Sequence, residues 1–349
     1  MANVEVNGVT IEYEVHGTGV PLLFVMGLGG QLTAWPDDFV QLFVDRGYQV
    51  IRFDNRDIGL STQTDWEPPS QGKMMRSFIT RRPLKNVRYT VPDMADDAAG
   101  LLDSLGIASC HVMGISMGGM ISQELAIRHP GKVRSLCSIM SNTGDRKNGG
   151  IAPSLIPKMA RQKPATLETA VEAGIETFKA ISGPHFDADE YRVVAEQAVA
   201  RSFTPAGLAR QTAAIAGSRD RTALLGQITV PTLVIHGLID PLVVVGTSAG
   251  HDDDRRSGAL RNVPDTVGVL RSELDRINSR RCHGRAQPCA AGKIVGQCQI
   301  EAGTRQAADV DRLEVGHDDV VIEGREPWLE VAGVERSVGV PRVEQRVRS

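Results

Sequence analysis

Apolar and polar residues alternate along "VEVNGVTIEYEVHG" on both sides of Asn7-Gly8, the pattern of two antiparallel strands joined by a tight turn. "PLLFVMG" is a short apolar run ended by glycine, as expected of a strand buried on both faces. In "TAWPDDFVQLFVDRG" the apolar positions recur at helical spacing as far as Gly47, and "YQVIRFD" returns to strand. The alternation continues. "VPDMADDAAGLLDSLGI" predicts a helix with acids in its first half, "SCHVMGIS" a strand, "MGGMISQELAIRHPGKV" a helix closed by His129-Pro130-Gly131, and "VRSLCSIMS" a further strand. From about 142 to 225 the pattern turns helical and polar, with "LETAVEAGIETFKAI" and "DEYRVVAEQAVARS" the clearest helices. "ITVPTLVIHGLIDPLV" then restores strand and turn. Such an order predicts an α/β fold whose mostly parallel sheet is covered by helices on both faces. A helical insertion between two of its strands sits over the carboxyl edge of the sheet, where ligands bind, and predicts a lid over about 143–225.

The pattern fails near residue 250. All ten Met and fourteen of the fifteen aromatic residues precede that point, leaving only Trp328 beyond it. Lys and Arg number 7 and 16 before the break and 1 and 15 after it. A stretch with one aromatic and no Met cannot fill a core to native density. Residues 1–246 are therefore expected to form one domain, and 247–349 an Arg/Val/Gly-rich tail without a domain of its own. Two readings of the tail stay open. It is a disordered or poorly packed extension, or it is the product of a shifted reading frame in a GC-rich gene, which would exchange Met, Phe, Tyr and Lys for Arg, Gly and Val. In the second case the last strand and helix of the sheet are lost and an edge is left exposed.

A net charge of −3 offers no basic stripe for nucleic acid or for an anionic membrane surface. The beginning, "MANVEVNGVT", lacks a basic stretch followed by an apolar one, and "VPLLFVMGLGG" is too short and too glycine-broken to span a bilayer. The expectation is a cytoplasmic protein with a small-molecule partner. Cys110, Cys137, Cys282, Cys289 and Cys298 are an odd number without paired spacing, which argues against a disulfide framework. Cys282, His283, Cys289 and Cys298 fall close together but lack a C-x2-C pair, so no metal site is expected. No cofactor is expected either.

Candidate chemistry centres on "VMGISMGGM". Gly114-Ile115-Ser116-Met117-Gly118 fits G-x-S-x-G between a predicted strand and a predicted helix, the context in which that motif is a nucleophile elbow. A strained turn at Ser116 needs minimal side chains two residues to either side, and it lifts the hydroxyl clear of the sheet. Acyl transfer also needs donors for an oxyanion, usually the amide after the nucleophile and one from an early strand-to-helix loop. Met117 supplies the first by position. "VMGLGGQ" supplies the second, assigned to Leu28, with Gly27, Gly29 and Gly30 letting the backbone approach substrate. A phosphate-binding loop is the competing reading of these glycines, and neither G-x-x-x-x-G-K-[ST] nor G-x-G-x-x-G is present there.

Taken together, "FVMGLGGQLTAWP", "VIRFDNRDIGLST", "GISMGG" and "VPTLVIHGLIDPLV" resemble the α/β-hydrolase fold family over residues 1 to about 246, and within it the serine esterase branch of aclacinomycin methylesterase-like hydrolases. The resemblance implies a Ser nucleophile, an acid after "TLVIHG" and a His near the C-terminus that takes the serine proton. By position the acid is Asp240, which orients the imidazole and stabilises its charged form. Asp54, Arg56 and Asp57 match a family segment that shapes the loop beside the site, a structural role. His236 reads as a packed neighbour of the acid. Met26 stands where His is commonest, a departure shared with the resembling branch. Serine at the nucleophile position excludes the branches that use Asp there and leaves esters, lactones and cofactor-free perhydrolysis.

The base is the gap. In the family it follows the acid by a helix, a strand and a short loop, on the order of thirty residues, yet 260–280 contains no His. His251 comes too soon, His283 lies in a Cys- and Arg-rich stretch, and His317 in "LEVGHDDV" comes late, although its Gly-His-Asp setting makes it the best of the three. The reading is thus a serine hydrolase of carboxylic esters, impaired where the catalytic His is lost. An inactive hydrolase-fold protein is the alternative. The mixed character of "IAPSLIPKMARQKPATLETAVEAGIETFKAI" suits a small or medium ester and carries no charge motif for an acyl-CoA or a phosphate. Oligomeric state is not legible.

Overall fold

The computed structural model describes residues 2–146, 151–161, 164–182, 186–237 and 240–243, together with the backbone of short strands at 298–299, 312–315 and 320–323. The tail residues weighed in the sequence, His251, His283, His317, Cys282 and Cys289, lie outside the described residues.

Strands β1 (Ala2–Val6) and β2 (Val9–His16) form the expected hairpin, registered from Ala2 against Tyr13 to Val6 against Val9. Its two-residue turn has φ of 48° at Asn7 and 74° at Gly8, the pair of positive values that a strand-matched tight turn requires and that Asn-Gly supplies. Strands β3 (Val20–Val25), β4 (Tyr48–Phe53), β5 (Cys110–Ile115), β6 (Val133–Ile139) and β7 (Thr232–Gly237) complete the sheet in the order β1-β2-β4-β3-β5-β6-β7. From β4 to β7 every neighbour is parallel, while β2 runs antiparallel to β4.

Parallel strands need crossovers, and helices supply them. α1 (Asp37–Val44) links β3 to β4, α3 (Val91–Ser104) precedes β5, and α4 (Met117–Arg128) joins β5 to β6. Both faces of β3 are therefore buried, and its side chains divide with the period of two that a strand dictates. Leu22 and Phe24 pack with Trp35, Val40 and Phe43 on the α1 side. Leu23 and Val25 pack with Met94, Leu101, Ile121 and Leu125 on the side of α3 and α4. α3 starts at a capping box, Thr90 and Asp93 exchanging bonds.

Three features differ from the sequence reading. α1 starts at Asp37, because Pro36 is its N-cap and the residues Leu32–Ala34 form a single 3-10 turn. α2 (Gln71–Thr80) is a helix that the pattern did not mark, since "QGKMMRSFIT" mixes polar and apolar residues without a clean stripe. The edge of β7 is covered at His236 and Gly237 by β8 (Cys298–Gln299), which runs antiparallel to it. β9 (Arg312–Val315) and β10 (Val320–Glu323) pair with each other.

Between β6 and β7 lies the helical insertion: α5 (Ile156–Arg161), α6 (Ala170–Ile181), α7 (Ala188–Arg201), α8 (Pro205–Gly217) and α9 (Thr222–Leu225). α6 and α7 pair through a stacked Phe178 and Tyr191, ring centroids 4.4 Å apart. α7 is capped by Asp187, whose carboxylate accepts from the amides of Asp189 and Glu190.

Candidate active site

Ser116 stands at the junction of β5 and α4 with φ 55° and ψ −118°, a conformation that costs a non-glycine residue about 1–3 kcal/mol and persists only where its surroundings over-determine it. They do. Its amide donates to Ile139 O at 2.8 Å, and its carbonyl accepts from Ser141 Oγ at 2.8 Å and from Gly119 N at 3.0 Å. The flanking glycines are required by close approach. A Cβ on Gly118 would stand 2.0 Å from Val25 O, and one on Gly114 would stand 2.3 Å from Gly118 O. The first turn of α4 is thereby pressed onto the end of β3, and Met117, fully buried, carries the helix's first amide beside the serine.

The chain leaving β3 turns over this junction. Gly30 N donates to Gly27 O at 3.1 Å, closing a four-residue turn with Leu28 and Gly29 at its centre. Gly29 has φ of 72°, the left-handed value that the third position of a type II turn demands. Gly27 passes so close that a Cβ there would lie 3.7 Å from Ser116 Oγ. Because Gly27 O is bound inside the turn, the N–H of the same trans peptide, that of Leu28, leaves on the opposite side. It has no acceptor among the described residues. Two side chains outside the turn hold it: Asn55 Nδ2 donates to Met26 O at 3.0 Å, and Gln211 Oε1 accepts from Gly29 N at 3.0 Å.

Asp240 follows β7 and lines the same cleft as Ser116. Its Oδ1 accepts from the amides of Leu242 and Val243, both at 2.9 Å. Its neighbour His236 approaches Oδ2 at 3.5 Å through Nε2, the atom that also lies 2.7 Å from Val243 O. The other described histidines are bound elsewhere: His16 to Glu14, His111 to Ser135 and His129 to Asp96. None of the four pairs includes Ser116. His317, His251 and His283 lie outside the described residues.

Asp54, Arg56 and Asp57 are buried and engaged. Asp54 accepts from Leu32 N at 2.7 Å, Leu60 N at 2.9 Å and Arg201 Nη1 at 2.8 Å, joining the turn region, its own loop and α7. Arg56 makes a two-pronged pair with Asp97 on α3. Asp57 accepts from Thr64 N, Arg210 Nε and Tyr89 Oη at 2.7, 2.9 and 2.7 Å. Burial, reinforced by the Asp57 carboxylate, pushes the Tyr89 phenol well above its ordinary range, so it donates there as a neutral hydroxyl. Arg221, wholly buried behind α4, donates to Gln123 Oε1 at 2.8 Å and to Asn142 O at 2.7 Å. Desolvation pushes its guanidinium down to about 10.

The cleft above Ser116 is about 2850 Å³ and mostly apolar, floored by Met26, Met120 and Met140 and roofed by the insertion through Leu155, Phe178 and Phe203. Its size exceeds the few hundred to ~1,000 Å³ usual for small-molecule sites because it opens along the whole underside of the insertion. Among the described residues no group of three or more His, Cys, Asp or Glu could hold a metal ion, and no helix is long and apolar enough to cross a membrane. Sequence reasoning missed Asn55, Gln211, Gln31 and Arg201. Asn55, inside "FDNRDIGLS", and Gln31, at the end of "VMGLGGQ", lie in segments that the sequence marked, whereas Gln211 and Arg201 carried no signal.

The family model described as the alpha/beta hydrolase fold matches residues 20–266. Among relatives, rhodomycin D methylesterase DauP of Streptomyces sp. (strain C5) is 28% identical over 274 residues, covering 68% of this chain and 81% of its own. Rhodomycin D methylesterase DnrP of Streptomyces peucetius is 27% identical over 256 residues, covering 63% and 75%. Among solved structures, the enol-lactonase from Burkholderia xenovorans LB400 aligns with TM-score 0.56 at 18% identity, over 80% of this chain and 96% of its own, a likeness of fold.

Proposed function

The chain belongs to the alpha/beta hydrolase fold family, and from that premise we propose that it is a serine hydrolase of carboxylic esters acting through an acyl-enzyme on Ser116. The observation that carries this reading is the over-determined φ of 55° at Ser116, with the Met117 amide behind it and the turn of Leu28 above it. Such a serine is aimed, and an ester carbonyl set against it would find two backbone donors for its oxyanion. Attack transfers the Oγ proton to a base, the alcohol leaves with a proton returned from that base, and water repeats the sequence to free the acid. In this reading Asp240 orients the base, and the base itself is not one of the four described histidines. Loss of the catalytic histidine would impair turnover to what the oxyanion donors and binding supply, a residual rate of roughly 10³–10⁴ over water. The methylesterase names of the relatives favour an ester substrate, and lactone opening and cofactor-free perhydrolysis use the same serine. The lid role of 143–225 belongs to this reading too, since α5 to α8 roof the cleft.

A second reading has its own observation. His16, His111, His129 and His236 are all bound away from the serine, as in a hydrolase fold that persists without turnover. One assay separates the two. Hydrolysis of p-nitrophenyl butyrate by the full chain falls sharply in Ser116→Ala, to no more than the residual rate that oxyanion donors and binding supply, if the enzyme reading holds. Equal rates in the two proteins would replace it with the inactive one.

A further inference from the structure

The turn that carries the Leu28 amide is not self-supporting. Its internal bond, Gly30 N to Gly27 O, is one hydrogen bond across a segment of three glycines, the residue type that loses most conformational freedom on ordering. Asn55 holds its entry at Met26 O, and the rest of what fixes it lies on the helical insertion. Gln211, fully buried on α8, takes the Gly29 amide on Oε1 at 3.0 Å and donates Nε2 to Arg56 O at 2.8 Å, so its amide group bridges the turn to the body of the domain. Leu208, one turn earlier on α8, closes over Gly29, where a Cβ would meet its Cδ1 at 2.8 Å. On the other flank Gln31 Nε2 donates to Ala198 O and Ser202 O at 2.7 and 2.9 Å, and Arg201 Nη1 bridges Gln31 Oε1 and Asp54 Oδ2 at 2.7 and 2.8 Å. Ser202 Oγ adds a bond to Gly59 O at 2.8 Å.

We propose that Gln211 is a positioning residue for the oxyanion hole, holding the Leu28 amide toward Ser116 through Gly29, so that the hole is complete only with α8 docked. The inference rests on the serine-hydrolase reading for its consequence and on the Gln211–Gly29 bond for its geometry. The two peptide units around Leu28 share a residue, so a Gly29 amide released from Gln211 frees rotation about Leu28 and swings its N–H off the position an oxyanion would occupy. Substrate binding along the apolar cleft does not depend on that swing, whereas the chemical step does.

The test uses the full-length protein and two readouts. Amide hydrogen exchange is followed at Gly30, whose acceptor Gly27 O is untouched by the substitution, in wild type, Gln211→Leu and Gln211→Glu. Loss of one clamping bond predicts Gly30 exchange about five- to tenfold faster in Gln211→Leu, with the α4 amides unchanged. Gln211→Glu keeps an acceptor for Gly29 but loses the donor to Arg56 O, and its Gly30 exchange falls between wild type and Gln211→Leu. In parallel, a fluorophosphonate probe is titrated against Ser116. The maximal labelling rate in Gln211→Leu falls about tenfold or more, while the half-saturating probe concentration stays the same. If Gln211→Leu does not fold, Gln211→Asn, whose acceptor falls one methylene short of Gly29, carries the same expectations. Unchanged Gly30 exchange in a folded variant overturns the proposal. Absence of labelling in wild type overturns the serine-hydrolase reading instead, and the exchange result still judges the clamp.

Discussion

The imidazole of His236 lies 3.5 Å from the carboxylate of Asp240, with its Nε2 at 2.7 Å from the carbonyl of Val243. The acid that the family resemblance assigns to the reaction is thus neighboured by a histidine four residues earlier, on the strand that precedes it. Nε2 is committed to the β7 turn, and the ring fills space beside the acid. Replacing it by a ring of similar size tests whether that is all it does. His236→Phe is expected to leave p-nitrophenyl ester turnover within about twofold of wild type. A loss approaching that of Ser116→Ala would make His236 the base.

Gly118 and Gly72 are both helical glycines, and they should respond oppositely to alanine. A Cβ at Gly118 would lie 2.0 Å from Val25 O, a contact with backbone that no side-chain rotation relieves, whereas nothing lies within 4 Å of one at Gly72 on α2. Gly118→Ala is expected to cost about 3 kcal/mol or more, and Gly72→Ala to gain about 0.5–1 kcal/mol from helix propensity. Urea unfolding midpoints check both, and shifts of the same sign would contradict the packing described for α4.

How much of this was legible beforehand follows from the range of each interaction. The strands and the elbow declare themselves locally: "PLLFVMG" is apolar throughout because both faces of β3 are covered, and Gly114 and Gly118 flank Ser116 because the turn admits nothing larger. α2 was invisible because its face is mixed. The supports of the Leu28 turn were invisible for a different reason, since Gln211 meets Gly29 across 182 residues and Gln31 meets Ser202 across 171. A polar side chain that satisfies one distant amide leaves no periodic trace. The role of "FDNRDIGLS" could be inferred from resemblance alone, and its physical content, three buried charges each with a named partner, needed the fold.

Asp57 is fully buried and accepts from Arg210, Tyr89 and Thr64. Arg210→Met keeps the aliphatic bulk and leaves the carboxylate without its countercharge. The expected loss is about 3–5 kcal/mol in denaturant unfolding, with Asp57→Asn in the Met background recovering part of it. Independent, additive effects of the two substitutions would contradict a coupled pair.

Asp96 on α3 accepts from Arg128 at 3.0 and 2.6 Å and from His129 at 2.7 Å. Burial pushes its carboxyl up, and the bonds and charges of Arg128 and His129 outweigh that and hold it below the usual carboxylate range. A carboxyl depressed in the folded state contributes stability above its unfolded value, about 3.9, and that contribution disappears as pH falls through the folded value. Asp96→Asn should therefore lower Tm at neutral pH, and the gap to wild type should close on acidification below about pH 4. A gap that widens toward acid would reverse the assignment.

The central claim is that Ser116 is an aimed nucleophile, and it is tested most directly by intact-mass and peptide mass spectrometry after treatment with a fluorophosphonate. The account predicts one phosphonyl group per chain, on the peptide that contains Ser116, and none in Ser116→Ala. An unmodified wild-type chain, or a label carried by any other residue, would contradict it.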